Sequence, residues 1–390
     1  MANESKNFLL TGGRSVSTLD LARQLHAAGH KVFSADTTKM HPCCVSNSVA
    51  KNYAIPSPRF ETPAFIEALL DIVKKENIDY LVPTYEEIIY LSKYRDRFPK
   101  NCYLFGSSFD TLHHLHNKWL FYCKMRSYGM EAPPTMLIKS REDLKNIPFK
   151  TYALKACYSR ASQTVLKIDG SKPMPEFKID SHNPWIAQEW LEGKRYCTYS
   201  VCHEGVVKAH AVYPVQFAIN NNSCVNFEAI HHQGILEWTQ KIVALECFTG
   251  QLGFDFFEMP NGKLYAIECN PRSTNGLMLF SQTDHLDRAF TNQTDALIQP
   301  KIGYKKQIAI GMALYGWQTA LKEKRMGQFF KTLLSTRDVI LDPNDIRPFL
   351  FQPFIFGIYI YNQIRSGLSL PAWFTYDCNW DGEEVKNTIN

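Results

Sequence analysis

The sequence has no stretch of the roughly 20 apolar residues that a bilayer-spanning helix requires, so no transmembrane span is expected. It has no run of five or six Lys or Arg. The net charge of +5 is spread thinly, and nucleic acid is not an expected partner. No C-x-x-C pair occurs among the 11 cysteines, which argues against zinc. Residues 1–7 are polar and lack the apolar core of a signal peptide, so reduced thiols packed as small hydrophobes are expected. Gly and Pro, 20 each in 390 residues, are too few for a collagen-like or low-complexity chain. Disorder is excluded by the 45% hydrophobic and 13% aromatic content. What remains is a cytoplasmic globular protein long enough for two or three domains.

The first hundred residues alternate strand and helix. Phe8-Leu9-Leu10 is a short apolar run ending in Thr11-Gly12-Gly13-Arg14. Leu19, Ala22, Leu25 and Ala28 follow at helical spacing, stopped by Gly29, and 31–36 reads as the next strand. Phe65, Leu69, Leu70 and Val73 predict a second helix, with further strands at 80–83 and 103–105. This alternation implies a parallel sheet covered by helices. One helix is predicted over 108–129, broken by Ala132-Pro133-Pro134-Thr135. Strands then dominate, at 152–156, 165–168, 185–188, 196–202 and 206–213, before a helix around 238–247 and a hairpin turning at Pro260-Asn261-Gly262. The expected fold class is α/β followed by α+β.

The first turn is not a dinucleotide fingerprint. Gly12-Gly13-Arg14-Ser15 lacks the glycines of G-x-G-x-x-G, and Asp36, at the offset of a ribose contact, is weak support on its own. The simpler reading is a tight strand-to-helix turn.

The chemistry concentrates in the hairpin, Gly253 to Glu258 and Leu264 to Arg272. In an antiparallel pair Asp255 and Glu268 can lie opposite one another, and Asn270 shares a face with Glu268. Two carboxylates and an amide oxygen form a hard donor set suited to Mg²⁺ or Mn²⁺. Arg272 adds a planar cation for phosphate or carboxylate. The alternative is a hairpin with solvated polar residues, but Glu268 ends the apolar run Leu264-Tyr265-Ala266-Ile267, and an unpaired buried carboxylate is costly.

This arrangement resembles the ATP-grasp superfamily, in particular members like the carbamoyl phosphate synthase large subunit and D-alanine–D-alanine ligase. The resemblance spans about residues 8–279. Its most specific parts are the 13-residue Asp255-to-Glu268 spacing and Glu268-Cys269-Asn270-Pro271-Arg272. It implies a Rossmann-like pre-ATP-grasp domain over 1–108 and an ATP-grasp domain over 109–300, with lobes at about 109–187 and 188–300. A C-terminal, partly helical extension would occupy 301–390.

By the same resemblance, Asp255, Glu268 and Asn270 match the metal ligands, and Arg272 matches the arginine at the transferring phosphoryl group. Lys118 and Lys155 match the two nucleotide-binding lysines, although each alone would read as an ordinary solvated lysine. Gln188, Glu189, Trp190, Leu191 and Glu192 match the hinge strand that reads adenine. Two departures stand out. The loop after Lys155 holds no glycine, leaving Ser159, Arg160 and Ser162 to grip phosphate, and Arg195 stands where the family has a ribose-binding glutamate. His231-His232 and Ser273-Thr274-Asn275 fall where family members contact the acceptor.

The implied activity is an ATP-dependent carboxylate–amine ligase using ATP and Mg²⁺, with small-molecule carboxylate and nucleophile substrates and a homodimer as one expected assembly. The alternative is a degenerate nucleotide-binding regulatory or partner-binding protein without turnover. The tail adds 348–364, seventeen residues without a charge between Arg347 and Arg365. Its two prolines and glycine read as too broken for a span. Packing on the core or across a dimer is expected, the alternatives being a membrane-surface contact or a lid over an apolar acceptor.

Overall fold

The computed structural model describes residues 4–159, 165–180, 182–219 and 223–385. Five parallel strands open the chain: β1 (Asn7–Thr11), β2 (Lys31–Asp36), β3 (Lys51–Ala54), β4 (Tyr80–Val82) and β5 (Tyr103–Leu104). They are ordered β3-β2-β1-β4-β5, so the direction of winding reverses between β1 and β4. Phe8, Leu9 and Leu10 are wholly buried, as befits a strand covered on both faces. A turn leads from β1 into the helix Val16–Ala27. Gly12 has a φ of +72°, and a Cβ there would meet the Thr84 hydroxyl at 2.5 Å. Only glycine fits that turn.

Beyond this sheet, β6 (Thr135–Ile138), β7 (Thr151–Ala156), β8 (Val165–Asp169) and β9 (Trp185–Glu189) form an antiparallel sheet in the order β6-β9-β7-β8. Next come β10 (Lys194–His203) and β11 (Val206–Pro214), then the two-residue strands β12 (Ala218–Ile219) and β13 (Ser223–Cys224), and β14 (Asn226–Glu228). The hairpin is β15 (Gly250–Glu258) and β16 (Leu264–Asn270), and the second antiparallel sheet runs β11-β10-β15-β16. β17 (Lys305–Gln307) and β18 (Arg337–Asp338) complete a small sheet with β14. The fold is a parallel N-terminal sheet followed by antiparallel sheets and C-terminal helices.

Two expectations need correction. The helix predicted over 108–129 is two helices, Phe109–His116 and Lys118–Ser127, separated at Asn117. The tail segment expected to be broken is one helix, Arg347–Ser366, with Pro353 inside it. Pro348 sits in its first turn, where the missing N–H costs nothing, and Pro353 removes a single bond from a 20-residue ladder. Among the described residues no helix is long and apolar enough to cross a membrane.

The tail returns to the first hundred residues through buried charge. The Arg23 guanidinium donates to the Asp345 carboxylate at 2.9 Å and to the carbonyls of Val339 and Ile340 at 2.9 and 3.0 Å. Asp345 also accepts from the Ser46 hydroxyl at 2.6 Å and the Asn47 N–H at 2.8 Å. Arg14 binds Asp36 at 2.6 Å and Asp377 at 2.8 Å. Asp36 is thus committed to Arg14, which leaves little of its carboxylate for a ribose. In the helix Arg347–Ser366, Ile355 and Tyr359 are buried, whereas Leu350, Phe354, Tyr361 and Ile364 are exposed. Replacing Asp345 with Ala strands the buried Arg23 charge, so urea unfolding of Asp345→Ala should show a loss of about 3 kcal/mol.

Candidate active site

The register of the hairpin builds the centre. Asp255 pairs with Glu268 and Gly253 pairs with Asn270, with a bulge between Asp255 and Phe256. Side chains alternate along β16, so Glu268 and Asn270 share one face. Asp255 and Glu268 hydrogen-bond to each other. Burial, the neighbouring Cys197 and the Glu268 charge push the Asp255 carboxyl well above the usual carboxylate range. Burial also works to raise Glu268, but Lys118, the Asp255 hydrogen bond and Lys155 hold it down to about 2. Two buried carboxyls this close favour a proton or a cation between them.

Two lysines act on Glu268 from different elements, Lys118 by contact and Lys155 through its charge. Asn117 ends one helix and caps the next, its side-chain oxygen accepting the N–H groups of Trp119 and Leu120 at 3.0 Å each. That break makes Lys118 the first residue of its helix. Its amine lies 3.3 Å from the Glu268 carboxylate and donates to the Ser159 carbonyl at 2.8 Å. Lys155, on β7, donates to the Gln188 side chain on β9 at 2.9 Å, and Gln188 donates to the Thr135 hydroxyl at 3.1 Å. Burial lowers the Lys155 amine to about 8, with Glu268 opposing the shift.

Of the residues singled out from the sequence, Lys155, Gln188, Glu189, Trp190, Leu191, Glu192, Asp255, Glu268, Asn270 and Arg272 line one cavity of about 1170 Å³. Lys118 and Ser159 are not among its lining residues. Arg160 and Ser162 lie outside the described residues. At the hinge, the Glu189 N–H donates to Pro134 and the Trp190 N–H to Thr151, while the Leu191 N–H has no backbone partner among the described residues. Ala153, Val165, Leu191 and Ile267 give this end of the cavity apolar walls. Arg195 also lines the cavity.

The two histidines do not reach it. His232 caps the helix Gln233–Leu245 by accepting the Ile235 N–H, and its ring lies 3.7 Å from Glu258. Ser273, Thr274 and Asn275 do line the cavity.

Sequence reasoning missed Glu86. It is 3% exposed, lines the cavity, accepts the Trp380 N–H at 3.0 Å and lies 3.7 Å from the Arg272 guanidinium and 3.6 Å from His116. Arg272 also donates to the Asn270 side-chain oxygen at 3.1 Å, so one guanidinium ties Glu86 to the hairpin. The available signal was position: Glu86 follows the carboxyl end of β4, beside the point where winding reverses, and such crevices bind ligands.

Residues 115–276 match a family model described as an ATP-grasp domain. The fold is the ATP-grasp fold. Solved structures with similar folds include N5-carboxyaminoimidazole synthetase from Staphylococcus aureus (15% identity, 78% of this chain and 82% of that one, TM-score 0.59). An L-amino acid ligase from Bacillus licheniformis matches at 14% identity over 70% and 68%, TM-score 0.52. The biotin carboxylase domain of the Hydrogenobacter thermophilus 2-oxoglutarate carboxylase, solved with MgADP, matches at 12% over 78% and 74%, TM-score 0.58. At such identities the likeness speaks to fold. No curated protein matches the sequence.

Asn117 should be needed to start the helix that carries Lys118. Asn117→Ala is expected to cost about 1 kcal/mol in urea unfolding, and Asn117→Asp, which keeps an oxygen acceptor, much less.

Proposed function

We propose that the protein is an ATP-dependent ligase that activates a carboxylate substrate as an acyl phosphate for attack by an amine or a similar nucleophile. The observation that carries this reading is the facing Asp255–Glu268 pair with Lys118 and Lys155 both acting on Glu268, at one end of a cavity bounded by a hinge strand. The likeness to an ATP-grasp domain, and the presence of an L-amino acid ligase among the similar folds, support it.

The donor set fits a hard divalent cation. Two facing carboxyls favour positive charge between them, and the Asn270 amide oxygen lies on the same face as Glu268. Among the described residues no group of three or more His, Cys, Asp or Glu side chains converges, so a metal here would draw its remaining ligands from Asn270, water and phosphate. Asp255, Glu268 and Asn270 would hold Mg²⁺ or Mn²⁺, which supplies charge neutralisation for a triphosphate.

In this reading Leu191 and the Glu189 carbonyl face the adenine edge, and Lys155 supplies a point charge to the phosphates. Lys118 holds Glu268 in place and adds charge behind it. The substrate carboxylate attacks the γ-phosphorus, ADP leaves, and the nucleophile displaces phosphate from the acyl phosphate. Arg272, braced by Glu86, balances charge on the transferring group. Positioning and electrostatics suffice for such a transfer. The second reading, a nucleotide-binding protein without turnover, rests on Arg195 in the cavity wall and on the glycine-free loop.

Glu268→Ala should abolish ADP release while circular dichroism reports a folded protein, and turnover that survives this change overturns the metal assignment. A wild-type protein that binds Mg-ATP but releases no ADP across a panel of carboxylates and amines favours the second reading. Because the Lys155 amine titrates near 8, its charge is lost as pH rises through that value. Calorimetric Mg-ATP affinity should therefore fall between pH 7 and 9, and Lys155→Arg should flatten the dependence.

A further inference from the structure

The cavity does not end at the phosphate-handling residues. One wall continues past Arg272 and Ser273 to Ser15, Thr84 and Glu86, at the carboxyl ends of β1 and β4. The tail contributes to the lining as well. Ile310 and Leu314, Ile355 and Phe356, Pro371 and Phe374 come from three separate segments of it, and every tail residue in the lining is uncharged. The volume of about 1170 Å³ exceeds the roughly 300–1,000 Å³ usual for a single small-molecule site, which leaves space beyond a nucleotide.

The polar atoms of the tail helix do not alter that character. Tyr359 lines the cavity, yet its hydroxyl is wholly buried, so the side chain offers its ring rather than its O–H to the space. A ligand that fills the space therefore carries its polar head at the reacting end, where Arg272 lies, and an apolar body along the tail residues.

The geometry points to an acceptor that is a carboxylic acid with an apolar chain or ring, held by the tail. This rests on the ligase reading and names the substrate class that reading leaves open. A short, charged acceptor, such as an acidic amino acid, would leave the uncharged wall wet.

The test is calorimetric titration of the full chain with straight-chain carboxylates from acetate to decanoate, with and without Mg-ADP. Affinity should rise about fourfold per added methylene as apolar surface leaves water. Leu314→Asp and Phe356→Asp should each weaken decanoate at least tenfold. Leu334→Asp, at a tail residue 85% exposed and outside the cavity lining, should leave it unchanged. If Phe356→Asp fails to fold, Leu314→Asp, at a side chain 44% exposed, carries the test. An affinity flat with chain length, a rise that survives both cavity variants, or an equal loss in Leu334→Asp overturns the inference. Absence of Mg-ADP binding with the chain-length trend intact overturns the ligase reading instead, leaving the apolar arm in place.

Discussion

Two carboxylates set face to face by strand register are the constraint around which the rest is arranged. Asp255 and Glu268 repel unless a proton or cation lies between them, and the backbone ladder of β15 and β16 keeps them from moving apart. Each neighbouring element answers that charge. A helix begins at Lys118 so that its amine meets Glu268, β7 brings Lys155 to the same wall, and Arg272 spans from Asn270 to Glu86. The cost of holding such groups out of water is offset in part where opposite charges meet, Lys118 with Glu268 and Arg272 with Glu86.

What could be read from the sequence followed from distance along the chain. The hairpin was legible because its two arms are close and a period of two places Asp255 opposite Glu268. The strands of the first sheet were legible because Phe8-Leu9-Leu10 and its counterparts are apolar runs bounded by turn residues. Asn117 was not, because the apolar residues Leu112, Leu115, Phe121 and Met125 keep up a helical look straight through the break, and only the capping hydrogen bonds reveal it. Pro353 misled in the opposite direction, since a single missing bond is absorbed by a helix that has many.

Glu86 and Arg14 escaped notice for a further reason. Their meaning lies in partners far away, Arg272 and Trp380 for one and Asp377 for the other. Nothing local distinguishes Thr84-Tyr85-Glu86-Glu87 from an ordinary acidic helix start. The topology does, by placing that loop where the winding of the sheet reverses. Composition failed similarly on the tail: it showed an aromatic segment, but not that one face of the helix is buried against the first hundred residues while the other is left exposed.

The Arg14–Asp377 pair joins residues 363 positions apart. The Arg14–Asp36 pair closes a loop of only 22 positions. Closing the longer loop costs more chain entropy, so the contact within the first sheet forms ahead of the one to the tail. The tail residues of the cavity wall are thus joined to the sheet by contacts of high sequence separation, the slow kind in folding.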